Sequence, residues 1–299
     1  MGKALADEFQ TARDVFVEVD EALGKNLSAV MWNGPQDDLT LTENAQPALM
    51  AVSMAVVRVL EDECGISVRD HARFVAGHSL GEYSALAAAG TFSITDAARL
   101  LQIRGQSMQA ATPVGTGAMA ALLGLDFDVA SQVAEEAADG EVCQAANDNA
   151  PGQVVVSGSK AAVERALDIA KDKGARRAVM LPVSAPFHCA LMQPAGDAMR
   201  DALSGVEMHA PSVPLVANVL ARPTSDTVEI RNSLIDQVTG TVRWRECVGY
   251  MASEGIDLFC ELGAGKVLSG MVRRNAEGAA ALAIGSPEDI AAAVAQLKG

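Results

Sequence analysis

The order of apolar and polar residues predicts helices and strands that alternate along most of the chain. Residues 3–23 place apolar side chains at helical spacing, which predicts an amphipathic helix. Residues 45–63 are apolar around most of a helical circumference and predict a buried helix, and residues 94–111 predict another. Between these two, the apolar run 74–76 is followed by a glycine turn and then by small residues, a pattern that predicts strand, sharp turn and helix. NGPQDD at 33–38 is predicted to be a loop.

The pattern changes after residue 113, where a regular series of shorter elements begins. The predicted order is strand, helix, strand, strand, helix and strand, at residues 118–125, 127–137, 141–149, 153–159, 160–174 and 176–184. This β-α-β-β-α-β order is typical of a ferredoxin-like domain. We expect residues 115–182 to form such a small domain, inserted between two parts of a larger one at residues 1–114 and 183–299.

The larger part is predicted to be α/β. Residues 213–219 are continuously apolar, as strands buried in a parallel sheet are, and residues 256–274 predict strand, glycine turn and helix. Helices that alternate with parallel strands indicate a doubly wound arrangement. The expected fold class is therefore α/β, with a larger α/β-hydrolase-like domain built on a parallel sheet and the inserted ferredoxin-like domain.

Composition and charge exclude several classes of protein. With 49% hydrophobic and 20% charged residues, the chain is typical of a soluble globular enzyme. A formal net charge of −15 makes nucleic acid an unexpected partner, because phosphate binding needs a basic surface. No apolar run approaches the roughly 18 residues of a membrane span, so no membrane partner is expected.

Cysteine and histidine usage points to a reduced compartment and to no metal. The five cysteines are scattered and form no CxxC pair, and the four histidines show no ligand spacing. We therefore expect a cytoplasmic protein without disulfides, zinc or another bound metal.

The most informative short motif is Gly77-His78-Ser79-Leu80-Gly81, which fits the G-x-S-x-G pattern of a nucleophile elbow. A serine at a strand-to-helix turn adopts strained backbone angles, and glycines leave room for the strand and helix to cross closely. The helix N-terminus then offers amide donors to a developing oxyanion. The alternative interpretation is a glycine-rich turn that carries an incidental serine.

A neutral serine nucleophile needs a base, and His188 is the best candidate among the histidines. His78 adjoins the serine, but adjacent residues on an elbow point apart. His188 lies in the loop SAPFHCALM, after the predicted inserted domain and before a helix. The alternative interpretation of His188 is a structural histidine that caps this helix.

Several segments, taken in order, resemble malonyl-CoA:acyl-carrier-protein transacylases and the acyltransferase domains of polyketide synthases. These segments are QPAL, GHSLGEYSAL, the IRGQ helix, NDNAPGQVVVSG and PFHCALM. The resemblance covers essentially the whole chain. It implies that Ser79 is the nucleophile that takes the acyl group as an ester and that His188 is its general base. It also implies that the backbone N–H of Leu80 serves the oxyanion and that a main-chain carbonyl at Gln237 orients the imidazole.

The resemblance further implies a set of substrate-binding residues. Arg104, in the predicted helix at 94–111, would pair with the free carboxylate of a malonyl group, which suits a planar guanidinium with two parallel donors. Four other polar residues match positions near the family's active site: Gln46, Asn147, Asn149 and Asn218. Without the family resemblance, the alternative interpretations are that Arg104 is a surface arginine and that the asparagines are turn and cap residues.

The expected function is therefore transfer of a malonyl group from coenzyme A to the phosphopantetheine thiol of acyl carrier protein, by a ping-pong mechanism, in fatty-acid biosynthesis. Malonyl-CoA and acyl carrier protein are the expected partners, the protein is expected to be a monomer, and no cofactor is implied beyond the coenzyme A thioester. The alternatives are a serine esterase or thioesterase, and an inactive remnant that only binds acyl carrier protein.

One feature of the family pattern is missing from this sequence. The family begins with a strand and a G-Q-G-S-Q turn that contributes an oxyanion donor, and no GQGSQ occurs here. We therefore expect either that the natural start codon lies further upstream or that the chain is truncated. Losing one such donor typically costs about 100- to 1000-fold in rate.

Overall fold

The first third of the chain is helical in the computed structural model, which describes residues 1–298. The helices are α1 Lys3–Glu8, α2 Gln10–Leu23, α3 Leu27–Asn33, α4 Gln36–Thr40, α5 Thr42–Asp62, α6 Val68–His71, α7 Gly81–Ala88 and α8 Ile94–Ala110. Helices α2, α5 and α8 pack against one another, and their apolar side chains form much of the largest hydrophobic core. The predicted helices at 45–63 and 94–111 are confirmed as α5 and α8.

Two predictions in this region are wrong in detail. The helix predicted over residues 3–23 is interrupted at Phe9, whose φ of −114° and ψ of 125° are extended. The guanidinium of Arg13 satisfies the open end of α1 by donating to the carbonyl of Ala6 at 2.9 and 2.7 Å. The predicted loop 33–38 contains the start of α4, where two aspartates in the first turn favour a helix N-terminus.

The middle of the chain forms an antiparallel sheet covered by two helices. Its elements are β1 Gly117–Leu123, α9 Phe127–Ala138, β2 Cys143–Ala150, β3 Gln153–Ser159, α10 Lys160–Asp172 and β4 Arg177–Met180. The strand order is β2-β3-β1-β4, and each neighbouring pair is antiparallel. These elements have their own hydrophobic core beneath α9 and α10. The elements occur in the order that the sequence predicts, although β2 continues to Ala150 where a loop was expected.

The rest of the chain returns to the larger body. After a 3₁₀ turn at Ala190–Met192 come α11 Gln193–Ser204, β5 Leu215–Val216, β6 Pro223–Thr224, α12 Thr227–Asp236, α13 Trp244–Ser253, β7 Leu258–Leu262, α14 Val267–Asn275, β8 Ala280–Ile284 and α15 Pro287–Leu297. None of the helices among residues 1–298 is both long enough and apolar enough to cross a membrane.

Parallel pairing in this body is shorter than the sequence predicts. Within the described residues, β7 pairs with β8 in parallel and a single parallel bridge joins Val75 to Leu215. The strand predicted at 213–219 is reduced to β5, because the chain turns at Asn218, whose side chain bonds to the elbow instead. The α/β class is confirmed, and the elements β8 and α15 were not predicted.

The elbow depends on a close crossing of two backbone segments. Val75 donates to Pro214 O at 3.0 Å and accepts from Val216 N at 2.9 Å, which holds residues 74–76 beside β5. The chain then reverses and α7 begins at Gly81. A Cβ atom added at Gly77 would lie 2.0 Å from the carbonyl atoms of Gly81, whereas one added at Gly81 meets nothing within 4 Å. Glycine is therefore required by the available space at residue 77 and not at residue 81.

We predict that Gly77→Ala and Gly81→Ala differ sharply in stability. Gly77→Ala forces strand and helix apart and should lower the free energy of unfolding by about 1–3 kcal/mol or more. Gly81→Ala, at the first helical position, should leave it within about 0.5 kcal/mol. Urea unfolding of both variants tests this, and equal losses would contradict the requirement for a close crossing.

Candidate active site

Ser79 and His188 meet although they are 109 positions apart in the sequence. The Oγ atom of Ser79 lies 2.8 Å from Nε2 of His188. Both residues adopt left-handed backbone angles, with φ of 54° and 58°. Such angles are costly for residues other than glycine, asparagine and aspartate, and they persist where the surrounding structure holds them. Two strained residues in hydrogen-bond contact indicate a functional site.

The imidazole of His188 is held in one tautomer. Its Nδ1 atom lies 2.8 Å from the main-chain carbonyl of Gln237, which can only accept, so Nδ1 carries the proton and Nε2 presents its lone pair to Ser79. Burial and, after it, the charge of Arg104 lower the pKa of His188 to about 3, against hydrogen bonds that raise it. The ring is therefore a neutral acceptor at physiological pH.

Arg104 lies in the same site and is only 2% exposed. Its Nη1 atom donates to Oε1 of Gln46 at 2.7 Å, and its Nη2 atom donates to Oε1 of Gln237 at 2.8 Å and to Oγ of Ser79 at 3.0 Å. The guanidinium also lies 5.9 Å from the ring centroid of Tyr83. Among residues 1–298, no carboxylate bonds to it. A buried cation that contacts only neutral groups can receive an anionic ligand next to the nucleophile.

Asn218 fixes the backbone on both sides of Ser79. Its Oδ1 atom accepts from Ser79 N at 2.8 Å, and its Nδ2 atom donates to Gly77 O at 2.8 Å. The next amide, that of Leu80, has no acceptor anywhere in the described part of the chain. An amide without an acceptor at the start of α7 is available to an oxyanion that develops beside Ser79.

Glu82 is a fully buried carboxylate behind the elbow. Its Oε1 atom accepts from Asn218 N at 2.6 Å, and its Oε2 atom accepts from Nε2 of Gln237. Burial raises the pKa of Glu82 to about 8, against the lowering effects of the hydrogen bonds from Asn218 and Gln237 and of the charge of Arg104.

Asn149 and Asn147 are placed differently from the other expected residues. Asn149 Oδ1 lies 2.8 Å from Nε2 of His78, whose ring also packs near Trp244, so Asn149 contacts the elbow through the histidine that precedes the serine. The backbone of Asn147 lies beside Val242 in a parallel bridge. No hydrogen bond of the Asn147 side chain is present within residues 1–298. The structure thus brings Asn149 to the elbow and leaves Asn147 on the strand that borders it.

Sequence reasoning missed Glu82 entirely. It is the one acid of the helix GEYSALAA, Gly81–Ala88, and it stands in the first turn, where an acid ordinarily complements the helix dipole at the surface. The signal that could have identified Glu82 is the composition of its helix, in which every other residue is small or apolar apart from Tyr83 and Ser84. A lone acid in such a helix is expected to be buried and paired.

The arrangement can perform nucleophilic acyl chemistry. It contains a serine hydroxyl, a neutral imidazole in the correct tautomer, an amide without an acceptor and a buried cation within 3.0 Å of the hydroxyl oxygen. No group of three or more metal-ligating side chains occurs in the part of the chain that the structure describes.

Comparison with known proteins gives one consistent family. Residues 1–289 match the family model described as an acyl transferase domain. The chain is similar to the malonyl CoA-acyl carrier protein transacylase of Bacillus subtilis, with 42% identity over 299 residues that cover 100% of this chain and 93% of the relative.

Solved structures agree with the sequence relatives. An acyl-carrier-protein-S-malonyltransferase from Bartonella henselae superposes with a TM-score of 0.97 at 56% identity, covering 100% of this chain and 95% of that one. A malonyl-transacylase solved in complex with a type II PKS acyl-carrier protein superposes with a TM-score of 0.95 at 40% identity, covering 99% and 94%.

We predict that the reactivity of Ser79 does not titrate with an ordinary histidine pKa. Because the pKa of His188 is lowered to about 3, lowering the pH from about 7 to about 5 should leave the base neutral. The rate of Ser79 modification by a serine-directed fluorophosphonate should change by less than about twofold over this range, and His188→Ala should abolish it. A histidine with a pKa near 6.5 would instead lose more than about tenfold.

Proposed function

Because the chain belongs to the acyl transferase domain family, we propose that it transfers a malonyl group from coenzyme A to the phosphopantetheine thiol of acyl carrier protein. The observation that carries the proposal is the buried guanidinium of Arg104, which lies 3.0 Å from Ser79 Oγ and contacts no carboxylate among residues 1–298. A malonyl thioester has a carboxylate two bonds from its reacting carbonyl carbon. It can therefore pair with this cation while the carbonyl lies at the serine.

In the first half-reaction, His188 Nε2 takes the proton of Ser79 Oγ as the oxygen attacks the thioester carbonyl. The negative charge that develops on the carbonyl oxygen accepts from the amide of Leu80 and lies at the N-terminus of α7. The C–S bond then breaks, and His188 returns the proton to the sulfur of coenzyme A. The product is a malonyl ester on Ser79.

The second half-reaction reverses these roles with a new thiol. The phosphopantetheine thiol of acyl carrier protein gives its proton to His188 and attacks the ester carbonyl. The C–O bond to Ser79 breaks, and the serine oxygen takes the proton back. The relative solved with an acyl-carrier protein supports this partner. The chemistry requires no metal or redox group, and we propose that none is bound.

Arg104 provides the substrate selectivity in this proposal. Its two terminal nitrogens can donate in parallel to the malonyl carboxylate, with Gln46 and Gln237 holding the guanidinium from the other side. An acetyl or long-chain acyl group would leave a buried cation without an anionic partner. This cost argues against the alternative of an esterase for neutral acyl groups, and no observation favours a remnant that only binds carrier protein.

We also propose a domain division and a location. Residues 115–182 are proposed as an inserted ferredoxin-like domain, with the antiparallel sheet and its separate core in support, and residues 1–114 and 183–299 as an α/β-hydrolase-like domain. Asn147 and Asn149 are proposed to border the substrate from the insert. All five cysteines are free thiols, which supports a cytoplasmic location.

We predict a malonyl ester on Ser79 that is stable until a thiol arrives. Intact-mass spectrometry after mixing with malonyl-CoA should show one malonyl adduct, and peptide mapping should place it on Ser79. Adding acyl carrier protein that bears phosphopantetheine should remove the adduct and malonylate the carrier. Ser79→Ala should show no adduct. Fast loss of the adduct to water without any thiol would point to a hydrolase instead.

We predict that Arg104→Ala reverses the preference for malonyl groups. Loss of the charged hydrogen bonds should lower kcat/KM for malonyl-CoA by about 100-fold or more and leave acetyl transfer unchanged or faster. Arg104→Lys, which keeps the charge but not the paired donors, should fall between the two enzymes. Steady-state assays with both thioesters measure the ratio, and an equal loss for both would refute the role of Arg104 in selectivity.

A further inference from the structure

The side chain of Glu82 is connected to the reactive groups by hydrogen bonds through other residues. Its two carboxylate oxygens accept from the backbone N–H of Asn218 and from the side-chain amide of Gln237. Within residues 1–298 its side chain makes no hydrogen bond to Ser79, His188 or Arg104, and only its backbone N–H donates to Ser79 O, at 3.1 Å. Through hydrogen bonds, the Glu82 side chain therefore reaches the reactive groups by way of these two neighbours.

The contact with Gln237 fixes the direction of an amide that has two different ends. Both oxygens of Glu82 accept, one of them from Nε2 of Gln237, and the guanidinium of Arg104 only donates, so Oε1 of Gln237 faces Arg104, from which it accepts at 2.8 Å. The same Nε2 atom donates to Ser79 O at 3.0 Å. If the amide were reversed, its N–H₂ group would face the donors of Arg104.

Glu82 is also coupled electrostatically to Arg104, although the two side chains share no hydrogen bond. Burial lowers the pKa of Arg104, while the charges of Tyr83 and Glu82 raise it. Burial and, after it, the charge of Glu82 raise the pKa of the Cys247 thiol on α13. The side-chain amide of Gln237 thus lies between the guanidinium of Arg104 and the carboxyl group of Glu82. Separation by an amide leaves the outer donors of Arg104 available, whereas a direct ion pair would occupy them.

We propose, on the premise of the malonyl transfer proposed above, that Glu82 is a positioning residue for substrate selectivity: through Gln237 it orients Arg104 to receive the carboxylate of the acyl group. Asn218, which accepts from Ser79 N and donates its own backbone N–H to Glu82, ties the elbow to the same carboxylate. Nucleophile and cation are thereby connected to the same buried side chain, one through Asn218 and the other through Gln237.

The test is Glu82→Gln, which keeps the shape and the acceptor for Asn218 but offers a donor to Gln237. The amide of Gln237 would then be reversed, and its N–H₂ group would face the N–H donors of Arg104. We expect kcat/KM for malonyl-CoA to fall by roughly 10- to 100-fold, mainly through KM, with a much smaller change for acetyl-CoA. Glu261→Gln is the matched control, because Glu261 likewise accepts two N–H groups, those of Leu268 and Ser269, without contacting Gln237 or Arg104. Glu261→Gln should leave unchanged the ratio of kcat/KM for malonyl-CoA to kcat/KM for acetyl-CoA.

Two further variants separate positioning from simple loss of structure. Gln237→Leu removes the amide but keeps the main-chain carbonyl that orients His188, and it should lower the ratio as Glu82→Gln does, even if the latter folds poorly. In the Arg104→Ala background, adding Glu82→Gln should cause no further loss for malonyl-CoA, because the orientation it controls is already gone.

The outcomes distinguish this proposal from the one it rests on. Equal losses for malonyl-CoA and acetyl-CoA in both Glu82→Gln and Gln237→Leu, or additive losses in the double variant, overturn the positioning role while malonyl transfer by the unaltered protein stands. Failure of the unaltered protein to transfer malonyl overturns both.

Discussion

A guanidinium buried beside the nucleophile governs the design of this active site. Removing Arg104 from water is costly unless its polar contacts are replaced, and the protein gives its terminal nitrogens neutral acceptors rather than a carboxylate. Gln46, from α5, and Gln237, after α12, hold the cation from two sides. A direct carboxylate partner would stabilise the cation more simply, but it would occupy the donors that the substrate needs. The selectivity that we propose follows from leaving that position open.

Gln237 joins this cation to the catalytic pair through one residue. Its main-chain carbonyl orients His188, and its side chain contacts Arg104, Glu82 and the carbonyl of Ser79. The base and the cation are therefore bonded to the same residue at the end of α12. The left-handed backbone angles of Ser79 and His188 are maintained by the same set of bonds. Strain at two residues thus coincides with a network of hydrogen bonds centred on Gln237.

The small antiparallel unit is tied to this network at one edge of its sheet. Val242 exchanges backbone hydrogen bonds of 2.9 Å with Ala146 and Asp148 on β2, only a few residues beyond Gln237. Asn149, on the same strand, bonds to His78 next to the nucleophile. The edge of β2 is therefore continuous with the wall of the active site. This continuity places the asparagines of the unit beside the elbow without requiring a hinge.

Sequence alone determined the class of the fold and the order of most of its elements, and it predicted Ser79 and His188 as a candidate nucleophile and base. The nucleophile elbow could be predicted because its requirement is local: a glycine at 77 that admits the backbone of Gly81, and a serine between strand and helix. The elements of residues 117–180 could be predicted for the same reason, since alternation and helical period are properties of neighbouring residues. The short β5 and the strand β8 escaped because pairing with distant segments decides them. The break at Phe9 and the helix α15 escaped although their contacts are local: Arg13 donates to Ala6, and Ser286 caps α15.

What only the tertiary structure decided is how distant residues share one buried space. Arg104, Glu82 and Gln237 come from three separate helical segments, and no local pattern states that an acid in a small-residue helix faces an amide 155 positions away. The residue types were visible in the sequence, but their partners were not. In a buried site every donor and acceptor needs a partner, and the partners are defined only once the folded chain has brought them together.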